Sequence, residues 1–134
     1  MKEVFADTFY FIALLNPRDP HHQAAVEATD DLSPHIVTSN WVLAEVADAL
    51  SAPHVRQRTA RFIRGVLEDP DTTVIEDEVR WFERGLELYQ QRADKSWSLT
   101  DCISFQIMQS RGIREALTGD HHFVQAGFVA LLAK

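Results

Sequence analysis

The chain has a single cysteine, Cys102, so neither an internal disulfide nor a cysteine-rich zinc site is open to it. It has only five glycines and no glycine-rich phosphate loop, which disfavours a nucleotide-binding enzyme. No apolar run approaches the length of a membrane span, so no membrane association is expected. The opening "MKEVFAD" meets an acid at Asp7 and has neither the length nor the flanks of a signal peptide, so a cytoplasmic location is expected. No repeat or low-complexity tract interrupts the 134 residues, and 46% hydrophobic with 25% charged residues is the composition of one soluble domain with an ordinary core. Positive charge is scarce too: 13 Lys and Arg stand against 20 Asp and Glu, a net charge of −7. That balance argues at first against nucleic acid, because phosphate binding usually leaves a basic footprint. Carboxylates that gather a cation reverse the local sign, however, so distribution matters more than the sum.

What is present alternates. Val4 to Ala6 reads as a short apolar strand, followed by Asp7 and a helix over Thr8 to Leu15 that "NPRDP" closes. A polar helix follows over Pro20 to Thr29. "HIVTS" is a second strand, and "NWVLAEVADALSAP" a strongly apolar helix with Asn40 as its expected cap and Pro53 as its stop. Val55 to Leu67 is basic and amphipathic, "TTVI" a third strand, and Glu76 to Arg92 a long helix. "SLTDCISFQIMQSRG" gives a helix ending at Gly112, "EALT" a fourth strand, "DHHFVQAG" a short helix or turn, and "FVALL" a last strand. Short, continuously apolar strands separated by helices indicate a buried parallel sheet covered on both faces. The expected fold is therefore an α/β three-layer sandwich, α/β/α, around a mostly parallel sheet. Ligands in such sheets sit beyond the carboxyl ends of the strands, where Asp7 and Asp120 stand.

Four acids are candidates for chemistry, and each has a plainer explanation. Asp7 can cap the helix after the first strand, and Asp120 the turn "HHFVQ". Asp101 sits in "SLTD", a capping-box pattern with Ser98 as cap, although such boxes prefer Glu or Gln at that place. Glu45 lies in a helix that is apolar from Trp41 to Leu50 except for Glu45 and Asp48, and an acid in a largely buried helix is costly unless paired or holding a metal. Acids at two strand ends and in two helices can converge on one sheet edge. There they would raise one another's pKa unless a cation neutralised them, and all-oxygen ligation selects a hard ion such as Mg²⁺ or Mn²⁺.

The elements "VFADTFYFIALL", "TSNWVLAEVADAL", "SLTDCISFQIM" and "ALTGDHHFVQAGF" resemble the four acidic motifs of PIN-domain ribonucleases, in particular VapC-type toxins of bacterial toxin–antitoxin pairs. The resemblance rests on order, spacing and hydrophobic context over nearly the whole chain. It implies one PIN-like, Rossmann-like domain over residues 1–134, Mg²⁺ or Mn²⁺, and endonucleolytic cleavage of RNA. Asp7, Glu45, Asp101 and Asp120 become the metal-site acids, with Thr8 and Thr118 as neighbouring hydroxyls. A cognate antitoxin and a homodimer are the implied partners. Gly119 departs from the pattern, where a larger residue is common, and reads as backbone freedom before the acid. A non-catalytic PIN-like binding module, or a PIN-fold RNA-processing nuclease outside a toxin–antitoxin pair, remains as the alternative.

Substrate contacts must come from the few cations. "VRQRTARFIRG" concentrates Arg56, Arg58, Arg61 and Arg64, of which Arg61 and Arg64 are candidate phosphate contacts, a solvated or partner-facing helix being equally consistent. Lys95 and Trp97 precede Asp101 and offer a phosphate contact and a stacking surface, with core packing the favoured role for Trp97. The pairs His21-His22 and His121-His122 invite zinc, but adjacent helical residues diverge, so surface or cap histidines are expected. Cys102 lies in an apolar helix without a base partner and reads as a buried structural thiol.

Overall fold

Val4, Phe5 and Ala6 are wholly buried, as are Ala116 and Leu117, and these two short apolar runs pair at the centre of the sheet. The computed structural model describes residues 2–133. Its elements run β1 (Glu3–Ala6), α1 (Thr8–Leu15), α2 (His22–Leu32), β2 (His35–Thr38), α3 (Asn40–Ala49), α4 (Pro53–Glu68), β3 (Thr72–Val74), α5 (Glu78–Gln91), α6 (Leu99–Arg111), β4 (Glu115–Leu117), α7 (His121–Gln125) and β5 (Val129–Ala130). All strands are parallel, in the order β3-β2-β1-β4-β5. The chain builds outward from β1 to β3, then crosses back to lay β4 on the other side of β1. Right-handed crossovers therefore put α1 to α4 on one face and α5 to α7 on the other. The packing agrees, with α1 against α2 and α3, and α5 against α6. Among the described residues no helix is long and apolar enough to cross a membrane.

Local signals explain most boundaries. Ser98 closes a capping box with Asp101, and Gly112 ends α6 in the left-handed region at φ 68. Two expectations shift. Ser39, not Asn40, caps α3, its hydroxyl accepting the Val42 N–H at 3.3 Å. Pro53 opens α4 instead of merely ending α3, because its fixed φ and missing N–H suit a first helical position. The last strand shrinks from "FVALL" to two residues, Val129–Ala130.

Two packing features bear on the site. Phe123, fully buried, lies between Phe105 (4.9 Å between ring centres) and Phe5 (6.5 Å), and this burial, of the kind that stabilises by about 1.5–3 kcal/mol, anchors the short α7. The α5–α6 contact is so close that a Cβ on Gly85 would lie 2.2 Å from Ile103 Cγ1 and 3.0 Å from its backbone. Gly85→Ala is therefore expected to destabilise the fold by about 1–3 kcal/mol through overpacking. Gly65→Ala, in open space on α4, should instead gain up to about 1 kcal/mol from helix propensity. Thermal denaturation of both variants checks this, and equal melting temperatures would refute it.

Candidate active site

β1 ends at Ala6, which pairs with Leu117 at the end of β4, so the next residue of each strand, Asp7 and Thr118, is brought alongside the other. This is where the strand order reverses, the crevice in which open α/β sheets bind ligands. The Thr118 hydroxyl donates to Asp7 Oδ2 at 2.9 Å. Asp7 occupies the cap position of α1, yet its carboxylate makes no capping hydrogen bond. Burial pushes Asp7 up from 3.8 to about 7, the Thr118 hydroxyl and Thr8 N–H oppose this, and the charges of Asp101 and Asp120 push it further.

Asp101 and Asp120 are helix caps as well as members of the cluster. The Ser98 N–H donates to Asp101 Oδ2 at 3.1 Å, and the Asp101 N–H returns a bond to Ser98 Oγ at 3.0 Å. Asp101 is likewise raised, by burial first and by Asp120, against the Ser98 N–H and His122. Asp120 caps α7 by accepting the His122 N–H at 2.9 Å, while its own N–H donates to Thr118 Oγ1 at 3.1 Å. One threonine thus ties two of the acids together.

Glu45 joins through Thr8, whose hydroxyl donates to Glu45 Oε1 at 2.7 Å. Here the expectation of a largely buried helix needs correction. α3 buries Val42, Leu43 and Val46 but exposes Ala44, Asp48 and Ala49, since alanine suits either face, and Glu45 is half-buried at the border.

His122, expected as a surface or cap histidine, stands instead between two of the acids. Its Nδ1 lies 3.2 Å from Asp101 Oδ2 and 3.5 Å from Asp120 Oδ1. His121 also reaches toward Asp120, at 3.6 Å, so Asp120, His121 and His122 can bring one ligand atom each within 4.8 Å of one another. The divergence expected of adjacent helical residues fails because both begin α7, where their rings flank the cap. His21 instead packs on Phe9, 4.7 Å between ring centres. The sequence signals for His122 were its pairing with His121 and its place two residues after Asp120.

Gly119 is glycine for want of space: a Cβ there would lie 2.4 Å from Phe9 Cζ, and its φ is not left-handed. Cys102 is buried and its thiol is pushed up to about 11, which fits the inert role expected of it. Trp97 is buried against Phe105, 5.0 Å between ring centres, and donates to Gln125 at 3.0 Å. Arg61 and Arg64 are exposed on α4, and among the described residues no hydrogen bond or ion pair joins them to the acids. Lys95 stands closer in sequence to Asp101, over the Trp97 ring.

The donor set fits a divalent cation, with carboxylates as the main donors and the His121 and His122 imidazoles beside Asp120. Among the described residues Asp7, Asp101 and Asp120 have no Lys or Arg partner, so the buried Asp7 charge stays uncompensated by protein cations, while carboxylate and hydroxyl oxygens are the ligands hard ions prefer.

The PIN domain model matches residues 4–129. The 23S rRNA-specific endonuclease VapC20 of Mycobacterium tuberculosis is 31% identical over 136 residues, covering 94% of this chain and 95% of the relative, in each of two strains. The crystal structure of Mycobacterium tuberculosis VapC20, a sarcin–ricin loop-cleaving toxin, superposes with a TM-score of 0.85 at 28% identity, over 94% of this chain and 96% of that one. Sequence motifs, topology and these likenesses converge: the chain belongs to the PIN-domain family, among the VapC-type endoribonucleases.

Proposed function

We propose that the chain hydrolyses RNA internally with Mg²⁺ or Mn²⁺ held by Asp7, Glu45, Asp101 and Asp120, and that it is the toxin of a toxin–antitoxin pair acting in the cytoplasm. The observation that carries this is the convergence of Asp7, Asp101 and Asp120 at the switch point, linked through Thr118 and His122 and, among the described residues, without a Lys or Arg to neutralise them. When bound, a divalent cation neutralises charge developing on the phosphate and lowers the pKa of a coordinated water. The chain's own residues hold the acids for it. Thr118 orients Asp7, Thr8 orients Glu45, and the Ser98 N–H fixes Asp101. With Asp101 ionised, His122 Nδ1 carries the hydrogen of the pair and steadies both late acids. The relatives' substrate makes the sarcin–ricin loop of 23S rRNA the first RNA to try. Specific cleavage in Mg²⁺ or Mn²⁺ that EDTA abolishes is expected, and intact RNA under all metal conditions would sink the reading.

Two partners belong to the proposal. A homodimer would draw on apolar surface such as Val79 and Phe82, exposed on α5. An antitoxin would occupy the apolar groove of about 410 Å³ between α3 and α4, where Leu50, Ile63 and Leu67 lie beside Arg56 and Arg64. Arg61→Glu with Arg64→Glu is therefore expected to release a co-expressed antitoxin while leaving RNA cleavage within about twofold, since surface reversals away from a packed site rarely disturb a fold. Affinity pull-down alongside a cleavage assay reads both quantities. Retained partner with weakened RNA binding would give these arginines the phosphate role instead.

A further inference from the structure

We infer that a groove between the end of α5 and the start of α6 binds a single-stranded segment of the RNA beside the cleavage site, an inference that rests on the nuclease reading. The groove is about 1090 Å³ and is lined by Tyr89, Arg92, Lys95, Trp97 and Ser98 among others. That is at the upper end of the ~300–1,000 Å³ typical of ligand clefts, room enough for a nucleotide. It lies next to one of the acids, because Ser98 lines it and is bonded to Asp101 through its N–H and hydroxyl.

The charge is unlike that of the rest of the chain. No Asp or Glu lines the groove, although the protein carries a net charge of −7. The Arg92 guanidinium lies 5.1 Å and the Lys95 ammonium 6.0 Å from the centre of the same Trp97 ring. Asp94 is bonded to Arg92 through both oxygens at 3.0 Å, which leaves one positive charge uncompensated over that ring. Being solvent-exposed, this pair yields to a competing phosphate. Trp97 is buried and serves as the plate on which the two cations rest. Tyr89, half exposed on the α5 wall, offers the face on which a base can stack. Cations for phosphates, an aromatic for a base and no carboxylate make a single-stranded polynucleotide the matching occupant.

The test is binding of a fluorescently labelled 12-nucleotide single-stranded RNA to the full-length protein in EDTA, so that cleavage plays no part, with a duplex of equal length beside it. Tyr89→Ala is expected to weaken binding of the single strand by about 5- to 100-fold and Tyr89→Phe to restore it, as stacking requires. Arg92→Gln with Lys95→Gln is expected to weaken it about tenfold or more and to flatten the slope of log affinity against log salt by about 1.4, for two phosphate contacts on a single strand. Thermal melts show whether the variants keep the fold. Unchanged affinity and slope in folded variants overturn the groove. So does a Tyr89→Ala protein that changes only from dimer to monomer, which would assign this face to a second copy. Either result leaves wild-type cleavage, and its loss in Asp7→Asn, standing. A wild-type protein that neither binds nor cuts RNA would overturn the nuclease reading and the groove with it.

Discussion

Asp7→Asn is expected to lower metal-dependent RNA cleavage by about 100-fold or more, and at the same time to stabilise the metal-free protein at neutral pH. The first effect follows from removing the charge of a proposed ligand, since even groups that only support a metal ligand cost about 10–100-fold when lost. The second follows from burial. Asp7 is raised from 3.8 to about 7 in the folded chain, so between those values the folded state holds a proton that the unfolded state has released. Stability contributed by the protonated form is therefore present at low pH and lost as pH climbs from 4 toward 7, levelling off above. At about 1.4 kcal/mol per unit, the whole window is worth at most about 4 kcal/mol. Asparagine keeps the neutral shape and can still accept the Thr118 hydroxyl, so the variant should lose this slope. Melting curves in EDTA from pH 4 to 8 make the comparison, and parallel curves for wild type and variant would mean that Asp7 is not charged at a cost in the fold.

The second large effect concerns Asp120, where capping and chemistry coincide in one carboxylate. Asn caps helices about as well as Asp, so Asp120→Asn should keep the bond from the His122 N–H and melt within about 0.5 kcal/mol of wild type. Its cleavage rate should nonetheless fall about tenfold or more. Asp120→Ala loses the cap as well and should cost a further ~1 kcal/mol of stability. The two variants together separate the roles. Full cleavage by Asp120→Asn would make Asp120 a cap alone, and the site would then rest on three acids.

Much of this site could be read from residue order because its geometry is imposed by secondary structure. An acid directly or shortly after an apolar strand stands at the sheet's carboxyl edge, so Asp7, next to β1, and Asp120, soon after β4, were placed by the strands before them. Asp101 was placed by its capping pattern, which puts its side chain at a helix start. What escaped had causes that periodicity does not record. Thr118 was implied as a neighbouring hydroxyl by the family resemblance, but not as the group bridging two strands, since pairing of β1 with β4 is a long-range fact. His122 was discounted by a rule for helix interiors that does not hold in the first turn of α7. The reason for Gly119 was the ring of Phe9, a contact between positions far apart in sequence. The exposed alanines of α3 made an amphipathic helix look buried, and its cap fell one residue early because Ser and Asn are both good caps and stand side by side.

The pairing of the first strand with the fourth also sets when this protein can act. Thr118 and Asp7, which touch in the finished fold, are 111 positions apart. During synthesis the amino-terminal acids, Asp7 and Glu45, emerge early and sit on one edge of a half-built sheet. Asp101 and Asp120 arrive only with and after the crossover from β3 to β4, the longest connection between strands in the sheet. Such non-local parallel pairing is the slow part of folding. A site that needs all four acids is thus assembled only after synthesis has passed Asp120, so a ribosome carrying a copy that stops short of β4 holds a fragment without Thr118 and Asp120 to complete it.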